Sequence, residues 1–282
     1  MSDFVHFIIT RFNLKMWANI SLDEAWYTHR FSLFEQFCLP SVQRQTNQSF
    51  TWLLLFDETT PQYLRSRIES YQKSANIQAH FVNGFDLPAI LDIVRKQLPE
   101  DAAYLITTTL DNDDALATTF VDQLQQQFQG QSFELINFTQ GLRYDLTSQK
   151  LYRCELFSNP FISLIEQIKP GKKFRSIAGC LPHSTITRRF SPLRDVVTTP
   201  QWLQLVHERN VEVTQTWGRQ RVKRDEMSAL FALAYQVPDG WESSINITLQ
   251  NGRARLERAF INALSDTQKA RIRERLHKLR GR

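Results

Sequence analysis

Residues 104–116 read YLITTTLDNDDAL. The stretch starts as an apolar and β-branched run, the composition of a buried strand, and ends with Asp111, Asp113 and Asp114 inside four residues. In an open parallel sheet, a strand can be buried along its length while its carboxyl end opens into a polar crevice, and that is where ligands bind. Three carboxylates so close repel one another unless water or a cation reaches them. Oxygen ligands of this kind suit a hard divalent ion, Mg2+ or Mn2+.

Working outward, FVHFIIT (4–10), FTWLLLFD (50–57), IQAHFV (77–82) and AYLITTTL (103–110) read as strands. Helical stretches separate them. SLDEAWYTHRFSLFEQFCLPSVQRQ opens on a capping-box pattern, Ser21 with Glu24, and is broken or restarted at Pro40. In ETTPQYLRSRIESYQK, Thr60 is the expected cap and Pro61 the first helical residue. LPAILDIVRKQL and ALATTFVDQLQQQFQ complete the alternation. Strands apolar on both faces, with helices between them, predict an α/β fold with a mostly parallel, Rossmann-like sheet. FELINFTQGLRYD and KLYRCELF read as paired strands joined near LTSQ, and the stretch 159–192, with four prolines, reads as loop-rich. TPQWLQLVHERN, DEMSALFALAYQ and a tail helix capped by Ser265 and Gln268 read as helical. The expected organisation is one domain over 1–250, with a nucleotide-binding half to about 130 and an acceptor half from 131, then a basic helical extension over 251–282.

Composition limits the classes. Hydrophobic residues make up 42% of the 282 residues, enough for a large core and unlike a disordered chain. Cys38, Cys154 and Cys180 are far apart and lack C-x-x-C spacing, which argues against a disulfide framework or zinc site and fits a reducing compartment. Asp3 stands where a signal peptide carries Lys or Arg, and no stretch has the length of a membrane span, so a cytoplasmic location is expected. The formal charge of +5 is local: residues 268–282 hold seven Lys or Arg and one Glu, leaving the rest of the chain near neutral. That argues against a nucleic-acid-binding face, and the tail also lacks aromatics for base stacking. Ile272, Leu276 and Leu279 form an apolar stripe among these cations, which suits either docking of 266–282 on the anionic inner face of a membrane or a solvated terminal helix.

The acidic stretch has several readings. An EF-hand starting at Asp111 needs Gly at 116, where the chain has Leu116, so that reading fails. A metal-dependent nuclease or nucleotidyl enzyme could use such carboxylates, but would profit from a basic substrate face. A solvated turn with Asp113 or Asp114 capping the next helix is the bland alternative. Glycosyltransferases of the GT-A fold place an Asp-x-Asp at the end of a central strand, where a metal bridges the two phosphates of a sugar nucleotide. LDNDD matches that arrangement, and TRFN after the first strand and DETT after the second would converge on the same edge.

Several blocks together, FIITRFN, RFSLFEQFCLPSVQRQTNQSFTWLLLFDETTP, TTTLDNDDAL, NPFISLIE and WLQLVHERN, run in order from residue 4 to about 210. In these the chain resembles the rhamnosyltransferase family of bacterial GT-A-like proteins. The resemblance implies transfer of a sugar, rhamnose by the family's name, from a nucleotide-sugar donor to a glycan or lipid-linked acceptor in polysaccharide assembly. It implies Mn2+ or Mg2+ as cofactor, with Asp113 and His207 as ligands and Asp111 beside the donor ribose and the metal. Asp114 would support them or cap a helix. Thr10, Arg11 and Asp57 would meet the nucleotide. His183 could line an acceptor pocket. For an inverting reaction, Asp195 and Asp225 are the candidate bases, each also readable as a cap or surface acid. A non-catalytic glycan-binding protein on the same fold is the competing reading.

Overall fold

The computed structural model describes residues 4–14, 22–181, 186, 189–208, 210, 220–236 and 244–263. Ser21, His183, Ser265 and the stretch 266–282 lie outside the described residues.

Two sheets organise the chain. The larger has the order β10-β6-β9-β4-β1-β2-β3. Its parallel centre comprises β1 (Phe4–Arg11), β2 (Thr51–Asp57), β3 (Ile77–Val82) and β4 (Tyr104–Thr109). β6 (Phe133–Phe138) and β10 (Leu193–Val196) run parallel to each other, and β9 (Ser163–Gln167) lies antiparallel between β6 and β4. This is the mostly parallel α/β architecture that the sequence predicts. β9 is the exception to the expected loop over 159–192. Its residues Ser163–Glu166 are all buried, so its apolar run is a central strand.

Alternation along the strands supplies both faces of this sheet. Ile8, Trp52, Leu54, Phe56 and Ile106 face one way, into a core with Phe31, Phe34, Val42, Ile68 and Phe120. Their neighbours Phe7, Ile9, Leu53, Leu55 and Leu105 face the other way, against Ile90, Val94 and Leu98. The first face is covered by α1 (Glu24–Leu33), α2 (Leu39–Gln43), α3 (Arg65–Tyr71) and α5 (Phe120–Gln125), the second by α4 (Leu87–Gln97).

The helix starts differ from expectation in two places. α1 is capped by Asp23, whose side chain accepts from the Trp26 amide at 2.7 Å, two residues after the Ser21 expected there. Thr60 caps nothing: its hydroxyl donates to the Asp57 carbonyl and accepts from Asn13. At Pro40 the helix is deformed rather than broken. Proline has no N–H for the carbonyl one turn back, and residues Phe34–Cys38 widen into a π-helical turn before α2. The Gln36 carbonyl left over accepts the amides of Ala234 and Tyr235, both at 3.0 Å.

The second sheet has the order β12-β8-β7-β11-β5. β7 (Gln140–Asp145) and β8 (Lys150–Glu155) are the expected hairpin, while β6 belongs to the large sheet. β11 (Trp202–Val206) corrects the helical reading of TPQWLQLVHERN. Trp202, Leu203 and Leu205 are buried between β7 and β5 (Ala115–Leu116), and pairing on both sides overrides local helical spacing. β12 (Gln220–Val222) closes the far edge, followed by α6 (Asp225–Leu230) and α7 (Ser244–Ala263). α7 runs unbroken through residue 250, and its Asn251 side chain bonds both backbone groups of Arg221. A division at 250 therefore falls inside an element, and one near 130 separates β5 from its own sheet.

Candidate functional site

The acidic stretch leaves β4 and turns at once into β5. Antiparallel pairing of β5 with β11, Leu116 opposite Trp202 and Ala115 opposite Leu203, sends β11 back past the acids. Asp114 accepts the Leu205 amide at 2.9 Å, and two residues later His207 brings Nε2 to 2.9 Å from Oδ2 of Asp113. The same Oδ2 receives Arg30 NH1 from α1 at 2.5 Å. NH1 also donates to Oδ1 of Asn112 at 3.1 Å, and Nδ2 of Asn112 donates to the Phe12 carbonyl at 2.6 Å. Asp111 is the accessible acid, its side chain 43% exposed, with Arg11 NH2 at 3.7 Å. The His29 ring lies edge-on to His207, centroids 5.2 Å apart, and the Arg30 guanidinium lies 5.7 Å from the Trp26 ring centre.

The acids differ in electrostatic state. Burial pushes the Asp113 carboxyl up, but the Arg30 charge and the His207 contact outweigh it and hold the group at about 2. Among the described residues no cation contacts Asp114, and the Arg30 charge relieves it only slightly. Burial, then the negative charges of Asp113 and Asp111, push it well above the usual carboxylate range, and the bond from Leu205 offsets this only in part. Asp114 thus ties the acidic turn to β11 and is not a helix cap: the residue before α5 is Thr119.

The other predicted residues separate from this cluster. Thr10 is buried, and its hydroxyl accepts from Trp52 Nε1 at 2.9 Å, inside the core rather than the crevice. Asp57 is buried and serves the loops: one oxygen takes the Thr59 amide at 2.9 Å and the other the Gly84 amide at 3.0 Å. Asn13 completes this joint between the first two strand ends, donating to Thr60 and Tyr27 and accepting from the Asp57 amide. Asp195 is exposed on edge strand β10, three strands from β4, and accepts from Asn137 at 2.6 Å. Asp225 is exposed at the head of α6, whose next residue, Glu226, pairs with Arg153 on β8, two strands from β11. Neither candidate base joins the cluster.

Arg30, Asn112 and His29 are the residues sequence reasoning missed. For Arg30 a signal existed. Tyr27, Arg30, Phe31 and Phe34 have the i, i+3, i+4, i+7 spacing of one buried helical stripe, and a cation on such a stripe demands an anion.

Residues 11–219 match the family model described as "Putative rhamnosyl transferase", and the chain belongs to that family. No curated protein sequence matches it significantly. Among solved structures it is similar to S. aureus TarS 1-349, with 11% identity, 71% of this chain covered and a TM-score of 0.41. It is also similar to HddC from Yersinia pseudotuberculosis, with 11% identity, 71% of this chain and 93% of that chain covered, and a TM-score of 0.36. The chain spans 60% of the TarS 1-349 fragment and 36% of the longer TarS chain.

Proposed function

We propose that this chain is a glycosyltransferase that takes a sugar, rhamnose in the first instance, from a nucleoside-diphosphate donor and passes it to a hydroxyl of a glycan or lipid-linked acceptor. One observation carries the reading: in a chain of this family, Arg11, Asp111, Arg30, Asp113 and His207 converge at the carboxyl end of the central strand β4.

Among the described residues no three His, Cys, Asp or Glu side chains are grouped to hold a metal. A Mg2+-like ion needs fewer, since it keeps waters and takes substrate phosphates beside one or two carboxylates. Asp113 Oδ2 and His207 Nε2, 2.9 Å apart, are spaced as neighbouring donors of one coordination shell, and carboxylate with imidazole suits Mn2+ as well. The pair fits such an ion provided Nε2 presents its lone pair and Arg30 loosens its hold on the shared oxygen. Bound there, the cation would supply Lewis-acid stabilisation of the departing diphosphate. Asp111, the exposed acid, is suited to accept from a ribose hydroxyl, and Arg11 beside it gives the diphosphate a cationic neighbour. Transfer breaks the bond between the anomeric carbon and the diphosphate oxygen and forms one to the acceptor oxygen. The acceptor hydroxyl gives up its proton as the nucleoside diphosphate leaves. The basic 266–282 segment would make peripheral contact with anionic lipid, where lipid-linked acceptors reside.

Thermal melts test the donor reading. UDP, GDP or dTDP at millimolar concentration with Mn2+ is expected to raise the melting temperature, because a ligand bound to the native state stabilises it. EDTA removes most of the shift, and Asp113→Asn loses the Mn2+-dependent part. If none of the three nucleotides moves the melting temperature of the parent protein, the donor reading is wrong.

A further inference from the structure

Arg30 occupies the place a cation would need. Its NH1 has two hydrogens, and both are spent, on Asn112 Oδ1 and on the Asp113 oxygen that also meets His207. Asn112 is in turn fixed to the Phe12 backbone, so the guanidinium is held from two sides. Arg30 and Asp113 are both buried, which makes this a desolvated pair rather than a surface contact. A divalent ion shared by Asp113 and His207 would sit within a few ångströms of that guanidinium, and like charges at that separation in a buried site repel strongly. Asp111 faces a second guanidinium, from Arg11. The free protein therefore presents a lone divalent ion with two acids that already have cationic neighbours.

We infer that Arg30 is the resident counter-cation of Asp113: it keeps divalent ions off the site in the free protein and makes their binding depend on the negative charge a diphosphate brings. The inference rests on Asp113 and His207 being the cation's ligands, as proposed above. When nucleotide and ion arrive together, the guanidinium can turn from the Asp113 oxygen to a phosphate oxygen, an equivalent charge-assisted partner. By linkage, whatever the nucleotide adds to the ion's affinity, the ion adds to the nucleotide's.

The experiment is Mn2+ titration of the full chain, reading free Mn2+ by electron paramagnetic resonance, without any turnover. With no nucleotide, the parent protein is expected to bind Mn2+ weakly, and Arg30→Met to bind it at least about tenfold more tightly, within the usual range of such couplings. Arg30→Lys, which keeps the charge, should stay near the parent. Adding Asp113→Asn to Arg30→Met should abolish the gain. Arg30→Gln, which keeps a donor for Asn112, is the second neutral variant should Arg30→Met fold poorly by circular dichroism. Unchanged Mn2+ affinity in a folded neutral variant overturns the inference, as does a parent protein that binds nucleoside diphosphate in the thermal melts yet holds Mn2+ no more tightly with it than without it. The arms without nucleotide decide the role of Arg30 even if no nucleotide binds, an outcome that would count against the donor reading alone.

Discussion

His6 is buried in the middle of β1, and its bonds fix its tautomer. Gln125 Nε2 donates to Nδ1 at 3.3 Å, so Nε2 carries the hydrogen and donates to Thr108 Oγ1 at 3.1 Å, and that hydroxyl meets Ser163 at 2.7 Å. The ring is neutral, with burial lowering its pKa to about 3. Unfolded, it would titrate near its ordinary 6.5, so between those values the unfolded chain binds more protons than the native one. Stability linked to His6 is thus intact above pH 6.5 and is lost as pH falls toward 3, by at most slightly more than ~1 kcal/mol per pH unit. Urea unfolding at pH 7, 6 and 5 is expected to show the parent losing stability faster than His6→Gln; parallel losses would refute the assignment. At this scale the sequence marked which residues stand at strand ends but not which way their side chains turn, and Arg30, inside a helix, carried a weaker signal. Asp113 and His207 could be singled out by position, because a strand end and a family block mark them. Thr10 and Asp57 stand at equally polar strand ends, but a side chain's direction there depends on partners such as Trp52 and Gly84, which spacing does not encode.

Trp202 sets the packing of the second sheet. Its ring lies across Gly141, its partner on β7, so that a Cβ there would fall 2.1 Å from a ring atom. The ring stacks on Phe161, centroids 5.2 Å apart, and its Nε1 donates to the Phe138 carbonyl at 2.8 Å. Gly141→Ala must displace the indole, and a loss of about 3 kcal/mol is expected, the upper part of the range for overpacking. Urea midpoints check it. Adding Trp202→Leu should recover part of the loss, which a double-mutant cycle resolves as coupling; strictly additive losses would mean the clash is relieved elsewhere. Strands such as TWLLLFD and IQAHFV were readable because they are apolar, short and flanked by turns. WLQLV has the same composition but sits in a stretch whose apolar residues also fit a helical face, and only β7 and β5 on either side decide for a strand.

Across the whole molecule, charge is concentrated at one end of the sequence. The last fifteen residues, 268–282, hold seven Lys or Arg. Before them α7 exposes Ile245 and Leu249, one helical turn apart, at 72% and 67%. Among the described residues no helix is long and apolar enough to cross a membrane. If the segment docks on anionic lipid, deletion of 266–282 should leave nucleotide-induced melting shifts unchanged while reducing sedimentation with phosphatidylserine-containing vesicles, and more so at low salt. Equal sedimentation of the two proteins would count against docking.

The site joins the two sheets across long stretches of chain. Arg30 meets Asp113 over 83 residues, and His207 meets it over 94. Contacts this distant in sequence close late during folding, because the loop entropy must be offset before they form. Asp114 and Leu205 fasten the same junction. A refolding chain should therefore regain its helical circular dichroism before it can bind any ligand at Asp113, and a slow step in docking the second sheet would show up as delayed appearance of binding alone.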